Sequence, residues 1–234
     1  MGKSMLLIIQ NDPEVPPGNF SDAIIERGIP CQTIHPYAGD SIPQVRDLSA
    51  AIVFGGAMGV HDIEKHPFLT GVKGFIRSCL QSEIPFLGIC LGGQFLADIL
   101  GGRVISGSPH GEKGTRSVTL TGEGENDPLF AGITHEFVSF QWHNDSFEVP
   151  VGGTLLATSP ACPAQAFRFG NCAWGTQFHP EVNRTIVENW AIWSEETASL
   201  ADQYVAAFVC QEHAYMEVSQ RLLGNFLRIA GLWR

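Results

Sequence analysis

Residues 84–100 read IPFLGICLGGQFLADIL, and this stretch decides the fold class. The apolar run from Ile84 to Leu87 is typical of a buried strand in a parallel sheet, where Pro85 is tolerated near the first position. From Leu91 onward, apolar residues recur at helical spacing. The chain is therefore predicted to pass from strand to helix within a few residues, and this βα unit is the building block of α/β folds.

Cys90 lies at the predicted turn between that strand and that helix. Gly88 and Gly92 flank it at the G-x-C-x-G spacing of a nucleophile elbow, in which sulfur replaces the usual serine oxygen. A thiol at the first turn of a helix faces unpaired N–H groups and the positive end of the helix dipole, which favour the thiolate form. The N–H of Leu91 is expected to face the same space. The alternative is that Cys90 is a small buried core residue, as most free cysteines are.

Composition restricts the classes of function. The chain has 234 residues, of which 44% are apolar, enough for one large α/β domain or two small ones. With 14 basic and 24 acidic residues and no Lys/Arg cluster, nucleic acid is not an expected partner. The six cysteines lack C-x-x-C spacing, which argues against a zinc site and a disulfide scaffold. The sequence predicts neither a metal nor a cofactor.

Hydropathy gives no indication of a membrane segment. No apolar run reaches the roughly 18 residues that a bilayer span requires. The apolar run from Met5 to Ile9 is followed at once by Asn11-Asp12-Pro13, so it is interpreted as a first strand and not as a signal sequence. We therefore expect a soluble, cytoplasmic protein with no membrane partner.

The N-terminal half alternates predicted strands and helices. We expect strands over Met5–Gln10, Cys31–His35 and Ala50–Phe54, and helices over Phe20–Arg27 and Leu69–Gln81. The first helix is predicted to have Asn19 as its N-cap and Gly28 as its stop. Alternation of this kind indicates βαβ units around a parallel sheet, with ligands at the carboxyl ends of the strands. The pair Gly55-Gly56 and the turn at Cys90 would both lie at that edge.

After Arg103 the pattern changes to short strands without helices between them. We expect these over Thr115–Leu120, Phe137–Gln141, Leu155–Thr158, Ala164–Phe169 and Cys172–Phe178. The last two are separated only by Gly170-Asn171, a two-residue hairpin signal, so an antiparallel addition is predicted. Residues 185–228 contain little Gly or Pro and predict two closing helices. The result is one α/β domain over residues 1–234, with a core of about 5–190 and a helical extension of about 185–230.

A second candidate group follows the last predicted strand, where residues 177–181 read QFHPE. Nucleophilic catalysis by cysteine needs an imidazole to take the proton and a third group to orient that ring. His179 and Glu181 are two positions apart and Pro180 stiffens the link, so both side chains can project to one side of an extended segment. The alternative is that this tripeptide is a surface loop without a role.

Together, residues 88–94 (GICLGGQ) and 178–181 (FHPE) resemble the motifs of the class I glutamine amidotransferase family. Weaker motifs occur in the order that this family shows, at residues 55–56 (GG), 127–130 (DPLF) and 142–145 (WHND). The resemblance covers about residues 5–190 and is strongest to stand-alone proteins related to the glutaminase part of GMP synthase. It implies a flavodoxin-like α/β fold with a mostly parallel central sheet, helices on both faces, a smaller antiparallel addition and C-terminal helices.

The resemblance also implies roles for individual residues. Cys90 would be the nucleophile, His179 the general base and acid, and Glu181 the residue that orients His179. The backbone N–H groups of Gly56 and Leu91 would form the oxyanion hole. The amino-acid end of the substrate would be held by Gln94, His143, Asn144 and Asp145.

Some positions depart from the family pattern. Ala57 stands where many relatives have Pro, and Asn144 stands where many have Gly. Thr115-Arg116 replaces residues that are often aromatic in similar proteins. The departures leave the three reactive side chains unchanged and leave the exact γ-glutamyl substrate open.

Three functions remain. The first is hydrolysis of the side-chain amide of glutamine through a γ-glutamyl thioester, with a separate synthase subunit as the possible acceptor of the ammonia. The second is a γ-glutamyl hydrolase or peptidase that uses the same residues on small γ-glutamyl compounds. The third is a catalytically silent interaction protein of the same fold, which predicts an unreactive Cys90.

Overall fold

The computed structural model describes residues 5–234. The strands are β1 (Leu6–Ile9), β2 (Cys31–Ile34), β3 (Ala50–Val53), β4 (Phe86–Ile89), β5 (Val104–Ile105), β6 (Glu112–Leu120), β7 (Glu136–His143), β8 (Ser146–Phe147), β9 (Gly153–Thr158), β10 (Ala166–Phe169) and β11 (Ala173–Thr176). The α-helices are α1 (Gly18–Glu26), α2 (Phe68–Gln81), α3 (Leu91–Ile99), α4 (Gly122–Glu125), α5 (Arg184–Ala191), α6 (Glu195–Ala198) and α7 (Ala201–Ile229). Short 3-10 turns lie at Pro36–Ala38, Val45–Asp47 and Pro128–Phe130.

Nine strands form one mixed sheet in the order β2-β1-β3-β4-β11-β10-β9-β6-β7. The first five of these are parallel, and the remaining four pair antiparallel. β5 and β8 form a small second sheet. The predicted fold class is confirmed. The antiparallel addition continues the main sheet because β11 pairs in parallel with β4 on one side and antiparallel with β10 on the other.

The sheet is covered by helices on both faces. Successive side chains of a strand point to opposite faces, so Leu6 and Ile8 pack in the cluster that includes residues of α1 and α7. Leu7 and Ile9 pack on the other face in the cluster that includes residues of α2 and α3. All four residues of β1, β3, β4 and β11 are buried, as expected for central parallel strands.

Several predicted boundaries differ from the structure. The fourth parallel strand begins at Phe86 and not at Ile84, because its ladder with β11 begins there and runs to Ile89. The strand therefore leads directly into Cys90. β6 and β7 are longer than predicted because their ladder extends from Glu112, opposite His143, to Thr119.

The predicted N-cap of α1 is wrong. The residue before the helix is Pro17, and Asn19 lies inside the helix. Its side-chain amide donates to the carbonyl oxygen of Val182 at 2.8 Å, and its Oδ1 accepts from Ser219 at 2.9 Å. A tertiary contact therefore replaces the local cap. The predicted stop at Gly28 is confirmed by its φ of 63° directly after the helix end.

Two other local predictions need correction. Phe169 pairs with Ala173, so the β10–β11 hairpin has a three-residue loop, and its first residue Gly170 has a φ of 60°. The C-terminal segment forms three helices and not two. The additional one-turn helix α6 begins because the Ser194 side chain accepts from the N–H of Thr197.

Within residues 5–234, no helix combines the length and the hydropathy that a bilayer span requires.

The start of α3 packs directly on the backbone of two strands. A Cβ added to Gly92 would lie 2.1 Å from the carbonyl oxygen of Val53, and one added to Gly88 would lie 2.3 Å from that of Gly92. These distances leave room for glycine only. The glycine spacing around Cys90 therefore reflects close packing of the helix against the sheet.

We expect Gly92→Ala to lower the free energy of unfolding by about 1–3 kcal/mol, because the new methyl group displaces backbone that is already closely packed. Gly74→Ala is the matched control, since Gly74 is exposed on α2 with nothing within 4 Å of an added Cβ. There we expect a gain of about 0.5–1 kcal/mol from helix propensity. Urea denaturation of both variants measures the difference, and equal midpoints for wild type and Gly92→Ala would refute the packing argument.

Candidate active site

Cys90 occupies a strained turn between β4 and α3. Its φ of 51° and ψ of −106° lie outside the regions that L-residues normally adopt. Its N–H donates to the carbonyl oxygen of Thr176 at 2.8 Å, and its carbonyl accepts from Gln94 at 2.9 Å. These bonds hold the turn between β11 and α3. The predicted strand, sharp turn and helix are all present.

His179 and Glu181 form a buried pair next to Cys90. Nδ1 of His179 lies 2.7 Å from Oε1 of Glu181, and the two side chains are 2% and 0% exposed. Burial opposes the charged form of the ring. The charges of Glu181 and Cys90, and hydrogen bonds with both, outweigh burial and raise the pKa of His179 above its usual range. Thiol, imidazole and carboxylate therefore stand in the order that nucleophilic catalysis by cysteine needs.

Gly55 packs against the reacting groups. A Cβ at this position would lie 3.1 Å from Cε1 of His179 and 3.5 Å from Cβ of Cys90. A side chain at this position, two residues after β3, would therefore crowd His179.

A cavity of about 410 Å³ opens onto Cys90 and His179. Seven of the nine residues that the sequence singles out line it: Gly56, Cys90, Gln94, His143, Asn144, Asp145 and His179. The other two lie behind the lining, Leu91 as the first residue of α3 and Glu181 as the partner of His179. The structure thus brings together predicted site residues that are up to 123 positions apart among those lining the cavity, from Gly56 to His179.

Comparisons with known proteins show the family to which the chain belongs. The family model for glutamine amidotransferase class-I matches residues 18–189, which is more than half of the chain. The chain belongs to the class I glutamine amidotransferase family. The resemblance noted in the sequence is therefore confirmed.

This chain covers a different share of the length of each relative. A glutamine amidotransferase-like protein, YfeJ of Salmonella typhimurium, is 31% identical over 188 residues, which is 79% of this chain and 77% of the relative. A glutamine-hydrolyzing GMP synthase of Clostridium perfringens is 33% identical over 72% of this chain, but the chain spans only 32% of that protein. The crystal structure of a glutamine amidotransferase from Thermotoga maritima superposes with a TM-score of 0.87 at 28% identity, covering 98% of this chain and 99% of that one.

Asp12 fixes the loop after β3 by a hydrogen bond. The sequence alone did not indicate a role for this residue. Oδ2 of Asp12 accepts from the N–H of Ala57 at 2.9 Å, and Oδ1 accepts from the N–H of Glu14 at 2.9 Å. This buried carboxylate fixes the peptide that follows Gly56. The sequence signal that could have identified Asp12 is its position in the loop after β1, at the carboxyl edge of the parallel sheet.

Gln177 is a second residue near the thiol that the sequence analysis left without a role. Its Nε2 lies 3.7 Å from Sγ of Cys90, and its Oε1 lies 3.3 Å from Nε2 of Gln94. Both amide side chains are buried. The two glutamines therefore link the sulfur to the part of the cavity formed by residues 143–145.

His143 and Asp145 are held by the protein itself. Burial lowers the pKa of His143 to about 4, so the ring is neutral and its Nδ1 donates to the carbonyl oxygen of Asp145 at 2.8 Å. Its Nε2 has no hydrogen-bond partner among the described residues and lies 4.0 Å from Oε2 of Glu112. Oδ1 of Asp145 accepts from the N–H of Gly107 at 2.9 Å. Asn144, between them, is exposed.

Two aromatic residues from the C-terminal helices hold His179. The hydroxyl of Tyr215 on α7 donates to the carbonyl oxygen of His179 at 2.9 Å. The ring of Trp190 on α5 meets the imidazole edge to face, with centroids 4.7 Å apart. In the sequence, both residues lie in the segment that predicts closing helices, and this does not distinguish core packing from support of the site.

We expect Glu181→Gln to lower the pKa of His179, because the opposing charge is lost while burial of the ring remains. In the wild type, His179 should stay protonated above pH 7, where an ordinary histidine with a pKa of about 6.5 is neutral. NMR titration of the histidine Cε1–H signals measures this difference, with His179→Asn to assign the signal. Glu125→Gln is the control, since Glu125 is the exposed partner of His135 at 3.1 Å. An unchanged His179 titration in Glu181→Gln would contradict the role of the pair.

Proposed function

We propose that residues 1–234 form a single-domain enzyme that hydrolyses the side-chain amide of glutamine to glutamate and ammonia. The observation that supports this most strongly is the strained turn at Cys90 next to the buried pair of His179 and Glu181, all at one end of a cavity. The cytoplasm remains the proposed location.

The proposed reaction uses the sulfur of Cys90 and the imidazole of His179 in turn. Thiolate of Cys90 attacks the amide carbon of the substrate, and protonated His179 transfers its proton to the departing nitrogen as the C–N bond breaks. Ammonia leaves, and a γ-glutamyl thioester remains on the sulfur. Water then loses a proton to His179 and attacks the thioester. Release of glutamate restores the thiolate and the protonated ring.

Glu181 is proposed to orient His179 throughout. Its carboxylate fixes the proton on Nδ1, so that Nε2 is the atom that exchanges a proton with the substrate. Because Glu181 is fully buried, water does not compete for this hydrogen bond. The pair therefore keeps one ring orientation through both halves of the reaction.

The negative charge on the substrate oxygen is proposed to be held by the N–H groups of Gly56 and Leu91. Leu91 opens α3, where N–H groups lack partners within the helix. The loop of Gly56 lines the cavity and is fixed by Asp12. One such donor is typically worth about 2.7–4 kcal/mol in the transition state.

The amino-acid end of the substrate is proposed to lie against residues of α3 and of the segment after β7. Residues in this group all line the cavity that contains the sulfur: Gln94, His143, Asn144 and Asp145. Since His143 is neutral and bonded to Asp145, we propose that it shapes this end of the cavity without contributing charge.

We propose a separate synthase subunit as the acceptor of ammonia. The support is the GMP synthase relative, of which this chain spans 32%. If such a partner uses the ammonia, glutamine is the natural substrate.

A γ-glutamyl hydrolase is the second candidate, favoured by the size of the cavity. Its volume of about 410 Å³ falls within the range of about 300–1,000 Å³ that is typical of sites for drug-sized ligands. Glutamine has ten heavy atoms and is smaller than such ligands. The same three side chains would act on a larger γ-glutamyl amide.

We expect Cys90→Ala to lower turnover of glutamine by about 10⁴-fold or more while the fold is retained, because no other group replaces the nucleophile. An ammonia-release assay measures the loss. Intact-mass spectrometry should show one adduct of a glutamine-like diazo-ketone on wild type and none on the variant. Cys210→Ala removes an exposed thiol and should behave as wild type.

Full activity of Cys90→Ala would refute the assignment of the nucleophile. A wild-type protein that turns over no γ-glutamyl compound and leaves Cys90 unlabelled would instead indicate a silent interaction protein.

We expect Asp12→Ala to lower kcat about tenfold or more with little change in KM, because the loop of Gly56 loses its tether and the transition state loses a well-placed donor. Steady-state kinetics with glutamine separate the two constants. Asp40→Ala is the control, since Asp40 accepts from the N–H of His35 at 2.8 Å in a loop outside the cavity. A rise in KM alone would show that Asp12 supports substrate binding and not the oxyanion.

A further inference from the structure

One wall of the cavity is built from three tryptophans. Trp142 lies on β7, Trp190 on α5, and Trp193 directly after α5. Their ring centroids are 6.3 Å apart for Trp142 and Trp190 and 6.2 Å apart for Trp190 and Trp193. Trp193 is 41% exposed and Trp142 is partly buried, whereas Trp190 is only 1% exposed, so Trp142 and Trp193 supply most of the accessible surface. Large aromatic surface in a concave site is suited to binding apolar or aromatic groups.

The position of this wall relative to His179 indicates which part of a substrate would meet it. His179 gives its proton to the departing nitrogen, so the leaving group lies beside the imidazole. The same ring is in edge-to-face contact with Trp190, with centroids 4.7 Å apart. The leaving group therefore departs next to the tryptophan wall, whereas the acyl part of the substrate is bonded to Cys90.

Ammonia would gain little binding energy from contact with such an aromatic wall. It is small and polar, and an indole surface offers it neither shape nor charge complementarity. An amine with an aromatic side chain would cover the wall and remove apolar surface from water, at roughly 25 cal/mol per Å². Trp190 and Trp193 also lie beyond residue 189, where the match to the family model ends.

We propose that the preferred substrates are γ-glutamyl amides whose amine carries an aromatic or large apolar side chain. This inference rests on the second candidate function, the γ-glutamyl hydrolase, and names the substrate class of the same site. The sulfur–carbon bond forms first, and the C–N bond of the secondary amide then breaks as His179 gives its proton to the departing amine. Water then hydrolyses the γ-glutamyl thioester as it would after glutamine.

Kinetics with a matched series of substrates test this proposal. The series is glutamine, γ-glutamylmethylamide and γ-glutamylphenethylamide, each assayed by release of glutamate. For wild type we expect kcat/KM for the phenethylamide to exceed that for glutamine about tenfold or more. The methylamide should resemble glutamine, because a single methyl group removes little apolar surface of the wall from water.

Substitution of the exposed tryptophan tests the wall itself. Trp193→Ala should lower kcat/KM for the phenethylamide about tenfold more than for the methylamide, and Trp193→Phe should retain most of the preference. Leu200→Ala is the matched control, because Leu200 is also an exposed apolar residue of the C-terminal segment but does not line the cavity. It should leave the ratio of the two substrates unchanged.

The outcomes separate this proposal from the one it rests on. Turnover of glutamine without preference for the phenethylamide, or a preference that Trp193→Ala leaves intact, would overturn the inference alone. No turnover of any substrate together with an unlabelled Cys90 would overturn the proposed function and this inference with it.

Discussion

A hydrogen bond between two buried ionisable groups, His179 and Glu181, is the interaction on which the site depends. Removing one partner of such a pair typically costs about 3–5 kcal/mol, because the other charge is left without compensation. The backbone around the pair is correspondingly fixed. The N–H of His179 donates to the carbonyl oxygen of Phe140 at 2.8 Å, and the N–H of Asn19 donates to that of Glu181 at 2.9 Å. A Cβ at Gly18 would lie 2.1 Å from the same oxygen.

The C-terminal helices also hold the segment of His179 in place. Tyr215 donates to the carbonyl of His179, and Trp190 packs on its ring while donating from its indole nitrogen to the carbonyl of Glu14 at 2.7 Å. The segment of His179 is therefore held between the sheet, the start of α1 and the helices that follow it. A loop with so many fixed neighbours keeps the imidazole in one place, which is what proton transfer over a hydrogen bond requires.

Residues whose arrangement depends on short spacing can be predicted from the sequence. Residues whose role depends on a long-range contact cannot. Cys90 between Gly88 and Gly92, and the pair of His179 and Glu181, are defined within a few positions, so the local pattern carries the geometry. Asn19 has the side chain of a helix cap, but its partner is Val182, which is 163 positions away. Asp12 likewise bonds to a loop 45 positions away. A single sequence shows the type of such residues and not their partners.

The two ends of the cavity come from different parts of the fold, and this separates chemistry from specificity. The sulfur and its neighbours stand on β4, α3 and the end of β11, where strand pairing and glycine-only contacts leave little freedom for change. The tryptophan wall is formed in part by α5 and the segment after it, which lie outside the strands of the sheet. Trp193 is 41% exposed and can change size without moving the reacting atoms, whereas Trp190 packs on the ring of His179. Under the proposals above, we expect differences in the leaving group to be accommodated at Trp193, while the acyl chemistry stays at the edge of the sheet.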